Sequence, residues 1–182
     1  MNRSELTSSA LAGQLRRAIR DVPDFPKSGI VFKDITPILL DATLFHHATE
    51  AMAAPFAADA ITHVIGIESR GFILGAPVAQ HLGAAFVPVR KPGKLPSIVE
   101  RVQYALEYGT DALEMHRDAL GPSDRALIVD DVLATGGTAR ATCELVERTG
   151  ARVIGCSFLM VLTFLSGVQA LSSRRVESLL EY

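Results

Sequence analysis

Two adjacent carboxylates followed by a run of small and hydroxylated residues carry the most specific chemistry in this chain: Asp130-Asp131-Val132-Leu133-Ala134-Thr135-Gly136-Gly137-Thr138. The four residues before the acids, Ala126 to Val129, are apolar. They predict a buried strand with the carboxylates at its end. Gly136 and Gly137 permit a tight turn and close backbone approach, and successive N–H groups in such a turn form an anion-binding nest. Ala139 to Arg148 reads as a helix, with Leu145 and Val146 apolar and charges elsewhere. Its N-terminus would add unpaired donors and a positive dipole end behind the loop. The hydroxyls of Thr135 and Thr138 can donate to phosphate oxygens. No Gly-Lys-Ser/Thr is present, so the loop is not of the Walker type, and the acids precede the glycines, which excludes a dinucleotide fingerprint. Asp130 and Asp131 would repel a bare phosphate, but a carboxylate accepts hydrogen bonds from neighbouring hydroxyls. The segment therefore predicts a sugar-phosphate site, with the phosphate in the loop and the diol on the acids.

Three further clusters could complete such a site. Glu68-Ser69-Arg70-Gly71 follows another short apolar run, and Arg70 offers a planar fork of donors suited to phosphate. From Arg90 to Arg101, four basic residues (Arg90, Lys91, Lys94, Arg101) alternate with Pro92, Gly93 and Pro96. That composition resists regular structure and suits a mobile basic lid that closes over a polyanion and excludes water. Phe32, within Ile30-Val31-Phe32-Lys33, offers an aromatic face beside backbone donors and acceptors.

The elements that must position these residues alternate. Leu6 to Arg20 predicts an amphipathic helix, Asp21 to Gly29 a Pro-rich loop, and Leu44 to Ala57 a helix. His63 to Ile67 predicts a strand, Phe72 to Leu82 a helix, Ala85 to Val89 a strand, Arg125 to Val129 a strand, and Arg152 to Leu162 a buried central strand. Strands alternating with helices argue an α/β fold, a mostly parallel central sheet flanked by helices. Ligands in such sheets sit beyond the carboxyl ends of the strands. The Glu68 and Asp130 loops both fall there, so they are expected to share one crevice.

The Asp130 segment resembles the phosphoribosyl pyrophosphate (PRPP) motif of the type I phosphoribosyltransferases. Four more segments narrow the resemblance to the adenine-using members of that family: Asp24-Phe25-Pro26 with Gly29-Ile30-Val31-Phe32-Lys33-Asp34-Ile35, Glu68-Ser69-Arg70-Gly71-Phe72, Val89-Arg90-Lys91-Pro92-Gly93-Lys94-Leu95-Pro96, and Leu106-Glu107-Tyr108-Gly109. They occur in the family's order and span nearly the whole chain. The resemblance implies the family's fold with a small hood and a mobile lid loop, and transfer of the phosphoribosyl group from PRPP to adenine. It places PRPP on Asp130, Asp131, Ala134, Thr135, Gly136, Gly137 and Thr138. It places pyrophosphate on Glu68, Ser69, Arg70, Arg90, Lys91 and Lys94, with a cis peptide between Glu68 and Ser69. Adenine falls to Val31, Phe32, Lys33 and Leu162, with stacking on Phe32 and edge hydrogen bonds on the Val31 and Lys33 backbone. Glu107 is the implied catalytic carboxylate, acting on the proton that a purine ring nitrogen loses as it attacks. Mg²⁺ is expected to travel with PRPP and to touch the protein mainly through water, and Arg90 to reach a neighbouring subunit in a homodimer.

Composition sets the outer limits. The 182 residues suffice for one domain with a substantial core, and 48% apolar with 21% charged residues is a globular balance. A net charge of −2 argues against general nucleic-acid affinity. The longest apolar run, Val153 to Leu165, is interrupted by Gly155, Ser157 and Thr163 and is too short to cross a membrane. The N-terminus lacks the apolar stretch of a secretory signal, and Cys143 and Cys156 fall in a predicted helix and strand as buried free thiols. A cytoplasmic location is expected. His46, His47, His63, His81 and His116 have no ligand-like spacing, so no protein metal site is expected. Two alternatives stand at this level: a sister enzyme for another base, or a PRPP-sensing regulator without the chemistry.

Overall fold

In the computed structural model, which describes residues 3–105 and 110–182, the chain forms two compact units, Met1–Ala51 and Met52–Tyr182. The first begins with helix α1 (Arg3–Ala18). A hairpin follows, in which β1 (Arg20–Pro23) pairs antiparallel with β2 (Val31–Asp34), Val22 opposite Phe32. The loop expected from Asp21 is thus shorter than its Pro content suggests. Its first residues are drawn into a strand by cross-strand pairs, Arg20 with Asp34 at 2.7 Å and Lys33 with Asp21 at 2.7 Å. Short helix α2 (Thr36–Leu40) leads to α3 (Ala42–Ala53). The Asp41 side chain caps α3 by accepting from the Thr43 and Leu44 N–H groups, both at 3.0 Å. The α-helix stops before Pro55, short of the expected Ala57. Proline has no N–H to donate, and Ala54–Phe56 forms a 3₁₀ turn instead.

The second unit is built on a five-stranded parallel sheet. Its strands are β3 (His63–Ile67), β4 (Ala85–Val89), β7 (Arg125–Leu133), β8 (Arg152–Val161) and β9 (Val176–Glu181), in the order β4-β3-β7-β8-β9. Helix α4 (Arg70–Leu82) connects β3 to β4, and α5 (Gly137–Arg148) connects β7 to β8. Between β4 and β7 lies a separate antiparallel hairpin, β5 (Val99–Ala105) with β6 (Thr110–His116). The central strands are buried on both faces: Val64 to Ile67, Ala126 to Val129 and Gly155 to Val161. Such continuous apolar runs are what a covered parallel sheet requires. Ile65, Val87, Ile128 and Phe158 from the sheet, Leu145 from α5, and Val102 and Leu113 from the hairpin share one core.

Three expectations change. The basic segment ending at Arg101 runs into β5, because Val102 and Tyr104 alternate inward and bury against the core. Strand β7 does not end at the acids; Val132 and Leu133 continue the ladder opposite Met160 and Val161. Strand β9 has no sequence signature, since its Val176-Glu177-Ser178-Leu179-Leu180 has no clear two-residue alternation.

Gly155 on β8 shows how tightly the sheet is covered. A Cβ there would lie 2.5 Å from the ring of fully buried Phe56 and 3.1 Å from the Arg175 carbonyl. Overpacking of this kind costs about 1–3 kcal/mol. Gly155→Ala is expected to lower unfolding stability by that amount in urea titration, with the m-value unchanged.

Candidate active site

The site forms at the carboxyl ends of β3 and β7, where two loops face one cavity of about 340 Å³. One wall is Glu68, Ser69 and Arg70, at the entrance to α4; the other runs from Asp130 and Asp131 to Thr138. The shared crevice expected from the sequence is present. The Glu68–Ser69 peptide is cis, as the resemblance implies.

The loops come together because α4 starts hard against β7. A Cβ on Gly71 would meet the Val129 carbonyl at 2.8 Å and Asp130 Oδ1 at 2.9 Å, so no larger residue fits without displacing the strand end. This brings Arg70 Nε to within 2.6 Å of Asp131 Oδ2, a charge-assisted hydrogen bond across the cavity floor. The two acids are not equivalent. Asp131 is buried and held by Arg70. Asp130 accepts from the Asp131 N–H at 2.9 Å, while desolvation and the neighbouring Asp131 charge push its carboxyl well above the usual carboxylate range.

The second loop is shaped by Gly136, which lies at φ 82 and N-caps α5. The first-turn N–H groups of a helix lack intrahelical acceptors, and here that turn, Gly137 to Ala139, lines the cavity. Gly167, which local sequence gave no reason to single out, lies directly behind this loop. A Cβ there would collide with the Ala134 carbonyl, just as one on Gly136 would meet the Gly167 carbonyl at 2.6 Å. The two glycines let the backbones touch, and only the fold reveals the second.

Of the basic segment, Lys91 lines the cavity. Its ammonium contacts Asp111 on β6 and the Tyr104 hydroxyl on β5 at 3.4 Å. Burial would lower the Lys91 pKa, but these partners outweigh it and raise the pKa above its ordinary value. Tyr104 and Asp111 were not identified from sequence, since neither falls in a recognisable motif. Arg90 and Lys94 turn to Glu68: its carboxylate accepts from Lys94 Nζ at 2.6 Å, from the Lys91 N–H at 3.0 Å and from Arg90 Nε at 3.3 Å. The segment is further tied by the Gly93 N–H donating to Glu114 at 2.9 Å.

The residues expected to bind a base fall in different units. Val31, Phe32 and Lys33 form β2 in the first, where the Phe32 ring meets Phe25 edge-on with centroids 5.2 Å apart. Leu162 follows β8 in the second and donates its N–H to the Leu133 carbonyl at 2.9 Å. Glu107 lies outside the described residues.

Strand, paired acids, glycine turn and helix thus face an arginine-bearing loop across one cavity. A family model for the phosphoribosyl transferase domain matches residues 41–168. The adenine phosphoribosyltransferase of Myxococcus xanthus is 56% identical over 179 residues, covering 97% of this chain and 96% of that one. Among solved structures, adenine phosphoribosyltransferase from Rhodothermus marinus is 55% identical with a TM-score of 0.92, covering 96% of this chain and 99% of that one. The Saccharomyces cerevisiae adenine phosphoribosyltransferase, complexed with an imino-altritol bisphosphate and adenine, is 39% identical with a TM-score of 0.88, covering 94% and 99%. The chain belongs to the phosphoribosyltransferase family, in its adenine phosphoribosyltransferase branch.

The Glu68 cluster predicts an acid dependence. Burial would raise the Glu68 pKa, but hydrogen bonds from Lys94, the Lys91 N–H and Arg90 outweigh it and hold it at about 2, against 4.5 when unperturbed. A carboxylate depressed in the folded state contributes stability that is complete above 4.5 and is lost as pH falls toward 2. Unfolding free energy measured by denaturant titration should therefore drop across that window, with a visibly shallower drop in Glu68→Gln.

Proposed function

We infer that the chain transfers the 5-phosphoribosyl group from PRPP to adenine, giving AMP and pyrophosphate. One observation carries the reading. A glycine turn on a helix N-terminus, a carboxylate pair, and Arg70 with Lys91 converge on a single cavity, a set of donors and acceptors that suits PRPP from its 5-phosphate through its ribose hydroxyls to its pyrophosphate. Membership of the adenine branch and the adenine bound by the yeast relative support the choice of base.

In this reading Ala134 to Thr138 take the 5-phosphate through backbone N–H groups and the Thr135 and Thr138 hydroxyls. Asp130 and Asp131 accept the ribose hydroxyls. Arg70 and Lys91, with Glu68, Ser69, Arg90 and Lys94, serve the pyrophosphate. The bond from the ribose anomeric carbon to pyrophosphate breaks through an oxocarbenium-like state, while a ring nitrogen of adenine forms the new bond and gives up its proton. Glu107 takes or steers that proton, as the family resemblance assigns. The basic segment excludes water, which would otherwise capture the sugar cation. Adenine is assigned to Val31, Phe32, Lys33 and Leu162. Backbone readout by Val31 and Lys33 disfavours 6-oxo purines, which accept where adenine donates.

Mg²⁺ fits this donor set as a companion of the substrate. Within the cavity pair, Asp131 is held by Arg70. The Asp130–Asp131 pair can offer oxygens to a hydrated ion already carried by PRPP, as Mg²⁺ keeps much of its water. When bound, the ion neutralises charge on the leaving pyrophosphate. The whole chain would work as a single phosphoribosyltransferase domain, as a homodimer with Arg90 reaching the partner's pyrophosphate site, in the cytoplasm. Resemblance supports the dimer, and the two buried free cysteines suit a reducing compartment.

Purified protein given PRPP and Mg²⁺ should release pyrophosphate with adenine and far less with hypoxanthine; a preference for hypoxanthine would replace adenine as the substrate, and PRPP binding without release would indicate a sensor. Glu107→Gln is expected to lower kcat roughly 100-fold, the scale of general acid–base catalysis. Near-normal turnover in that variant would remove Glu107 from the mechanism.

A further inference from the structure

Each cation assigned to pyrophosphate already has an internal carboxylate as partner. Arg70 has Asp131, Lys94 and Arg90 have Glu68, and Lys91 has Asp111. Asp131 and Glu68 line the cavity, whereas Asp111 and Tyr104 are not among the described residues that do. Yet these two reach both ends of it. Thr138 Oγ1, on the phosphate loop, donates to the Tyr104 hydroxyl at 3.2 Å. That hydroxyl donates to Asp111 Oδ2 at 3.2 Å, and the same Oδ2 receives Lys91 Nζ. A continuous path therefore runs from the loop assigned to the 5-phosphate through the β5–β6 hairpin to Lys91, which also lines the cavity.

We propose that Asp111 is a positioning residue that sets how tightly the site holds pyrophosphate, as the counter-anion which pyrophosphate must displace from Lys91. The proposal rests on the assignment of pyrophosphate to Lys91. An ammonium has three N–H donors; Asp111 and Tyr104 engage Lys91 before any ligand arrives. The paired lysine projects less net positive charge into the cavity than a bare one, and an entering anion gains only the difference between its own contact and the Asp111 contact it replaces. The carboxylate thus holds the lysine aimed at the cavity and also weakens its grip on the leaving group, which favours release of product. Tyr104, only 6% exposed, keeps the carboxylate in place from behind.

The test is calorimetric titration of pyrophosphate, with MgCl₂ present, into wild type, Asp111→Asn, Asp111→Glu, Lys91→Met and the Asp111→Asn/Lys91→Met double variant. Asn preserves shape and the Oδ1 acceptor that the Ala112 N–H uses at 2.8 Å. Asp111→Asn should bind roughly three- to five-fold tighter, the range of a half-exposed ion pair. Asp111→Glu should bind like wild type, and the tightening should vanish in the Lys91→Met background. Asp111→Ala provides the same charge removal should the amide variant fail to fold. Equal or weaker binding by the charge-removed variant, or tightening that persists without Lys91, overturns the proposal while the pyrophosphate assignment stands. Absence of binding by folded wild type removes that assignment, and this inference with it.

Discussion

The close approach of α4 to β7 is the contact on which the site depends. Because residue 71 is glycine, the first turn of the helix can lie against the Val129 carbonyl, which a Cβ there would meet at 2.8 Å. That contact fixes where Arg70 begins its reach, and the guanidinium lands on Asp131 at 2.6 Å. Two loops from strands far apart in sequence thereby become the walls of one cavity. The parallel topology supplies the rest, because adjacent strands β3 and β7 end on the same side of the sheet.

Charge balance explains how a cavity with so many ionic groups stays folded without a ligand. Burying an unpaired charge is far more costly than burying a paired one. Here Glu68 gathers Lys94, Arg90 and the Lys91 N–H, and Asp131 gathers Arg70. On the proposed function, an entering polyanion would exchange partners with cations that are already positioned, leaving less side-chain ordering to be done on binding.

Local chemistry was the most legible part of the sequence. The strand–acids–glycine-turn–helix unit from Ala126 to Arg148 is contiguous, and each residue type has one dominant physical reason to be where it is. The alternation of buried strands and helices was equally readable, since a parallel strand writes itself as an apolar run. What escaped were features fixed by partners distant in sequence. Arg20–Pro23 is a strand because Asp34 and Lys33 lie across from it. Gly167 matters because Ala134 passes in front of it. Tyr104 and Asp111 are polar residues on an ordinary hairpin until Lys91 and Thr138 are brought to them. The adenine assignments differ in kind: a lone phenylalanine such as Phe32 looks the same whether it packs a core or faces a base, so family resemblance carries them.

The continuation of β7 past the acids changes what the pair can do. Were Asp130 and Asp131 in a loose loop, both could turn to solvent as two unpaired charges. Held in a ladder that runs on to Leu133, successive side chains are fixed toward opposite sides. Arg70 can then neutralise Asp131 alone, and desolvation with the Asp131 charge falls on Asp130. The pair therefore presents two unlike carboxyls to the cavity, one tied to Arg70 and one accepting from the Asp131 N–H. The strand register thus gives two neighbouring acids different partners at the mouth of one cavity.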